Sequence, residues 1–150
     1  MNLQKDDLLG SWTLRSFTVS YSDAREPRFP FGETPKGRLV YTDSGHMMAL
    51  LCHELPCDFK PKRLEEGWKA SESEKARAFD RSMSYSGRYR IDNNTVTHTV
   101  ELAQNPAIIG TEQSRTAQLN DSTLTLSYSI ETKSGATAFL ELLWNKEDPH

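Results

Sequence analysis

Two polar side chains fall, by strand alternation, on faces that are otherwise aliphatic. In the run Thr95 to Leu102, Val96, His98, Val100 and Leu102 share one face, while Thr95, Thr97, Thr99 and Glu101 share the other. The apolar set predicts the inward face, so His98 is expected in the interior. There it is either a core histidine satisfied by a hydrogen bond or a general acid or base whose pKa burial lowers. In the next run Gln113, Arg115, Ala117 and Leu119 share a face, and Ala117 and Leu119 carry Arg115 inward with them. A buried guanidinium needs a carboxylate, several carbonyls or an anionic ligand group, unless it reaches solvent at a rim. The inward face of the preceding run offers no acid, so a ligand oxygen and the solvent remain the alternatives.

Two phenols extend this set. Tyr128 shares a face with Leu124, Leu126 and Ile130, and Tyr89 shares one with Gly87 and Ile91. Each could donate to a carbonyl or stabilise an oxyanion, or simply fill the core with its hydroxyl satisfied. His98, Arg115, Tyr89 and Tyr128 are therefore the candidate catalytic residues, with His98 transferring a proton and the others orienting or polarising an oxygen. Cys52, His53 and Cys57 lie close together, but His46, His98 and His150 do not supply further ligands at a zinc-like spacing, so no metal is expected. With no Gly-rich phosphate loop and no Ser-His-Asp order, no cofactor is expected either.

The elements that would position these residues are strands. Turn residues punctuate alternating runs at about Gly10 to Val19, Lys36 to Thr42, His46 to Cys52, Ser84 to Ile91, Thr95 to Leu102, Thr111 to Leu119, Thr123 to Ile130 and Thr137 to Asn145. Asp43-Ser44-Gly45, Asp92-Asn93-Asn94, Asn120-Asp121-Ser122 and Lys133-Ser134-Gly135 suit tight hairpins. The run His46 to Cys52 is apolar at almost every position, so alternation leaves its inward face open. Gly10-Ser11-Trp12 near one end, answered by Leu142-Leu143-Trp144-Asn145-Lys146 near the other, suggests that the last strand returns to the first. The expected fold is a mainly β, eight-stranded, antiparallel up-and-down barrel, which has no exposed sheet edge and encloses packed side chains or one small ligand.

Three stretches interrupt the meander. Ser20 to Pro35 carries three prolines around Phe29 and Phe31, and Ala103 to Gly110 carries Ile108 and Ile109. His53 to Met83 contains one helix, signalled by a Ser71/Glu74 capping box and by Ala76, Phe79 and Met83 at helical spacing. That stripe is expected to pack on the barrel wall or bottom, with a mobile cover as the other reading. All three stretches follow odd-numbered strands and so share one rim. Long connections with apolar tips mark the functional end of such a scaffold. The ligand is expected to enter there, touching Phe31 and Trp68, with Gln113, Val100 and Tyr41 as further contacts.

Composition narrows the function. A chain of 150 residues can bury a core as one domain spanning 1–150. Its 36% hydrophobic content and mean hydropathy of −0.66 suit strands with one wet face. A net charge of −3, with basic and acidic residues intermixed, gives no basic stripe for nucleic acid or anionic lipid. The polar stretch Met1 to Asp7 is no signal segment, so a cytoplasmic location and reduced thiols at Cys52 and Cys57 are expected. A homodimer is compatible with this composition.

Taken in order, Leu9-Gly10-Ser11-Trp12, Gly37 to Gly45, Tyr85-Ser86-Gly87-Arg88-Tyr89, Thr95 to Glu101, Asn105-Pro106 and Gly110-Thr111-Glu112-Gln113 resemble the lipocalin-like domain family of bacterial and fungal proteins. The resemblance covers nearly the whole chain and implies an eight-stranded barrel with a central cavity. It also implies a place beside natural-product biosynthesis, because some fungal relatives are cyclases, including hetero-Diels-Alder enzymes that dehydrate and fold a reactive intermediate. Trp12 and Lys146 fit the lipocalin pattern of a cation crossing an indole at the closed end. Two functions follow as expectations, beside a third reading in which side chains fill the barrel and a cavity of roughly 300 Å³ is lacking. One is a cofactor-independent enzyme dehydrating, cyclising or isomerising an apolar or aromatic intermediate; the other is a non-catalytic carrier of a hydrophobic small molecule.

Overall fold

The computed structural model describes residues 2–55 and 57–148. Its strands are β1 (Gly10–Tyr21), β2 (Lys36–Tyr41), β3 (His46–Cys52), β4 (Ser82–Asp92), β5 (Thr95–Ala103), β6 (Glu112–Asn120), β7 (Thr123–Glu131) and β8 (Thr137–Lys146). Each pairs antiparallel with its sequence neighbour, and β8 pairs with β1, closing the barrel in the order β1 to β8. Short turns are possible because Asn93 and Asp121 sit at φ 56° and 53°, a left-handed region that their short polar side chains tolerate.

Before β1 runs a single helical turn, α1 (Lys5–Leu8), which the polar N-terminal stretch did not signal. It drives Leu8 into complete burial at the closed end and offers the Leu8 carbonyl to the Trp12 indole N–H at 2.9 Å. The Lys146 ammonium lies 4.6 Å from the Trp12 ring and donates to the Leu9 carbonyl. Cation, indole and backbone together seal this rim.

The opposite rim carries the long connections. The segment after β1 is tied to the one after β3 by the Glu54 amide donating to the Phe31 carbonyl at 2.9 Å. At the end of β5, the Gln104 amide donates to the Ser84 carbonyl at 3.0 Å. The Cys52 and Cys57 thiols are both free.

Between β3 and β4 lie a 3-10 turn (Leu64–Lys69) and α2 (Glu72–Asp80). The capping box forms, with the Ser71 hydroxyl accepting from the Glu74 amide at 3.2 Å and the Glu74 carboxylate accepting from the Ser71 amide. Of the expected stripe, Met83 packs against the core from the start of β4, but Ala76 and Phe79 are exposed, and the helix turns Glu74 inward instead. That carboxylate also accepts from the Lys60 amide at 2.8 Å, and these backbone donors hold its pKa below the usual carboxylate value. A polar clasp to the Lys60 and Ser71 amides therefore orients the helix in place of apolar packing.

The core is the barrel interior. In β3, Met47, Ala49 and Leu51 face in while Met48 and Leu50 lie exposed. This resolves the face that alternation left open.

Candidate functional site

Register sets the site. β4 pairs with β5 across a bulge between Ser86 and Gly87, and β5 pairs His98 with Gln113 of β6. The result is a row of polar side chains inside an aliphatic barrel. His98, only 2% exposed, has both ring nitrogens occupied: Nε2 lies 2.7 Å from the Tyr41 hydroxyl and Nδ1 2.6 Å from the Tyr85 hydroxyl. One nitrogen must donate and the other accept, since a neutral imidazole carries a single N–H. Burial, helped by the positive charge of Arg115, pushes the His98 pKa down to about 3, so the ring is neutral at physiological pH. Burial also raises the two phenols, Tyr85 to about 12 and Tyr41 well above its ordinary value.

Arg115 lies with its guanidinium carbon 3.6 Å from the centre of the Tyr128 ring. It donates to the Ser114 carbonyl at 2.9 Å and to Gln113 Oε1 at 3.4 Å, and Gln113 in turn donates to the Thr111 hydroxyl at 2.8 Å. No carboxylate forms an ion pair with Arg115 among the described residues. Arg115 is only half-buried, so the π face together with solvent at the rim stands in for a counter-ion.

These groups border two adjoining spaces. An inner chamber of about 60 Å³ is walled by apolar residues including Phe17, Leu126 and Leu142, and also by His98 and Trp144. An outer vestibule of about 280 Å³ is lined by Phe79, Asn105, Ile108 and Gln113 among others. Met83, Tyr85, Arg115 and Tyr128 line both spaces and form the threshold between them. The vestibule lies between α2 and the β5–β6 connection, on the rim of the long connections.

The expected site residues separate into groups. His98, Arg115 and Tyr128 come together at the chamber, and Gln113 lines the vestibule. Tyr41 and Val100, each 1% exposed, lie behind the chamber and border neither space, Tyr41 serving as the partner of His98. Tyr89 sits toward the closed rim, its hydroxyl donating to the Thr42 carbonyl at 2.8 Å and its ring edge on Tyr41 at 4.8 Å. Phe31 packs on Phe17 at 6.0 Å and reaches the chamber only through it. Trp68 is 65% exposed and borders neither space, because the 3-10 turn holds it on the outside. Sequence reasoning passed over Tyr85, although stepping back by twos from Tyr89 through Gly87 reaches it. His150 lies outside the described residues, among which no group of three His, Cys, Asp or Glu is placed to hold a metal ion.

A closed up-and-down barrel with an interior chamber, a sealed rim and an open one defines the small-molecule-binding class of β-barrels. Residues 9–147 match the lipocalin-like domain family, and the chain belongs to it. No curated protein matches the chain. Among the described residues, no helix is long and apolar enough to cross a membrane.

Proposed function

We propose that the protein takes an apolar or aromatic small molecule through the vestibule and promotes its cyclisation, isomerisation or dehydration at the threshold, without a cofactor. The observation that carries this reading is the pairing of Arg115, which has no carboxylate partner among the described residues, with the Tyr85–His98–Tyr41 chain beside an otherwise apolar chamber. Such a site polarises one substrate oxygen while apolar walls hold the rest in a reactive conformer and exclude water. With His98 near 3 and Tyr85 near 12, neither group ionises at neutral pH. His98 therefore acts as a hydrogen-bond link in place of a free base. Cyclisation and isomerisation conserve every atom of the substrate, and dehydration removes a hydroxyl and an adjacent hydrogen together as water. None of the three requires a net proton from the protein.

The carrier reading draws on the same pKa values, since a site with no group titrating near neutrality also suits plain binding. The test is incubation with the intermediates made by enzymes encoded beside this one, followed by mass and chromatographic analysis. Conversion that is lost in Arg115→Ala and Tyr85→Phe supports the enzyme. Recovery of tightly bound but unchanged compound supports the carrier.

A further inference from the structure

The direction of the Tyr41–His98–Tyr85 chain follows from burial. The Tyr41 hydroxyl is enclosed, and among the described residues its one partner is His98 Nε2. If it accepted from an Nε2–H, its own hydrogen would be left in the core with nothing to bond, which native interiors avoid. Tyr41 therefore donates to Nε2, which fixes the imidazole proton on Nδ1. Nδ1–H donates to the Tyr85 oxygen, and the Tyr85 hydrogen is left without a protein partner. Unlike Tyr41, Tyr85 borders both the chamber and the vestibule, so its hydroxyl can turn toward a guest.

Arg115 stands at the same threshold, a second donor with a full charge and no carboxylate partner among the described residues. Trp144, another wall of the chamber, has an indole N–H that is buried without a partner. The free hydrogen-bonding capacity of these three residues is that of donors. A neutral ligand that displaced solvent from the half-buried guanidinium would leave it without a counter-charge, whereas an anionic oxygen supplies both the acceptor and the charge.

We infer that the threshold recognises an anionic oxygen, a carboxylate or an enolate, on a small apolar molecule, with Arg115 giving the charge and Tyr85 the directed hydrogen bond. Tyr41 and His98 are positioning residues that fix which way the Tyr85 hydrogen points. The apolar body divides between the chamber, which admits a short substituent, and the vestibule beside Phe79 and Ile108. This inference rests on the proposal that the barrel binds small molecules.

The experiment measures binding of benzoate, phenylacetate and 3-phenylpropionate against their primary amides and alcohols by titration calorimetry at pH 7. The neutral fluorophore N-phenyl-1-naphthylamine serves as an independent reporter of apolar binding. At least one acid is expected to bind tenfold or more tightly than its amide. Arg115→Gln should abolish that preference and Arg115→Lys should retain part of it, with thermal melts confirming that both variants fold. Tyr85→Phe should weaken the acid about tenfold. His98→Phe should weaken it too while leaving the Arg115-dependent preference for charge, a split that general loosening of the barrel would not produce. If the fluorophore binds but acids and amides bind equally or not at all, the anion inference fails and the small-molecule reading stands. If neither the fluorophore nor any acid binds, both fail.

Discussion

Gly87 and Thr99 approach so closely that a Cβ on Gly87 would lie 1.8 Å from the Thr99 carbonyl oxygen. The contact falls at the β4–β5 bulge, two residues from Tyr85, whose hydroxyl lies 2.6 Å from His98 Nδ1. Gly87→Ala must therefore push the two strands apart at backbone level, where no flexible side chain can give way. The expected loss is about 3 kcal/mol of unfolding free energy in a urea titration. It should be accompanied by loss of ligand binding at temperatures where the variant is still folded.

The His98 pKa implies a pH-dependent stability with a defined sign. An unfolded imidazole takes up its proton near 6.5, whereas the folded one resists until about 3. The unfolded state therefore binds more protons between these values. The contribution of the neutral ring is complete above pH 6.5 and lost as pH falls toward 3. Wild type should lose up to about 1.4 kcal/mol per pH unit more than His98→Gln across that window, read as the difference between two urea titrations at each pH.

Tyr85 gives the opposite edge. Its folded pKa near 12 exceeds the ordinary phenol value of 10, so its burial stabilises fully below pH 10 and the contribution is lost between pH 10 and 12. Tyr85→Phe should flatten the alkaline fall in melting temperature, and ultraviolet difference titration should show one fewer late-ionising phenol.

At the sealed rim, Lys146→Met removes the cation over Trp12 and the donor to the Leu9 carbonyl. A stability loss of about 1–2 kcal/mol is expected, with no change in ligand affinity because the pair lies at the far end from the threshold. A change in affinity with stability intact would place the entrance at the wrong rim.

At the open rim, Ile108→Trp fills part of the vestibule without touching the polar chain. Stopped-flow fluorescence should show association slowed by about tenfold, with a modest fall in melting temperature because Ile108 packs against the edge of the core.

Much of the barrel is legible in the sequence because alternation, turn residues and strand length all specify the same register. His46 to Cys52 resisted this reading for a physical reason: Met48 and Leu50 are apolar yet exposed, so the wet face does not look wet. The helix misled in the reverse sense, since Ala76 and Phe79 have the right period but the buried position is Glu74, whose bonds go to backbone amides that no side-chain pattern encodes. His98 and Arg115 were readable as polar intruders on apolar faces. Tyr85 shares the alternating face of Gly87 and Tyr89, but its bond to a histidine 13 residues away emerges only once the two strands are paired. Trp68 shows the limit of arguing from connection length, since an aromatic in a long connection suggests the mouth while the 3-10 turn carries it outward.

The clasp at Glu74 has a consequence for how the molecule breathes. Water can replace each bond that the carboxylate makes to the Lys60 and Ser71 amides, whereas water offers nothing in exchange for a buried apolar stripe. Detaching α2 therefore costs little solvation energy and exposes little new oily surface, while opening the wall means breaking a ladder continuous around the whole ring. The amide hydrogens of 60–80 should exchange with solvent deuterium through small, frequent openings, and those of β1 and β8 through global unfolding alone. That pattern would give a cylinder that stays closed beside one segment that opens alone, so that a guest passes in and out without melting the wall that holds it.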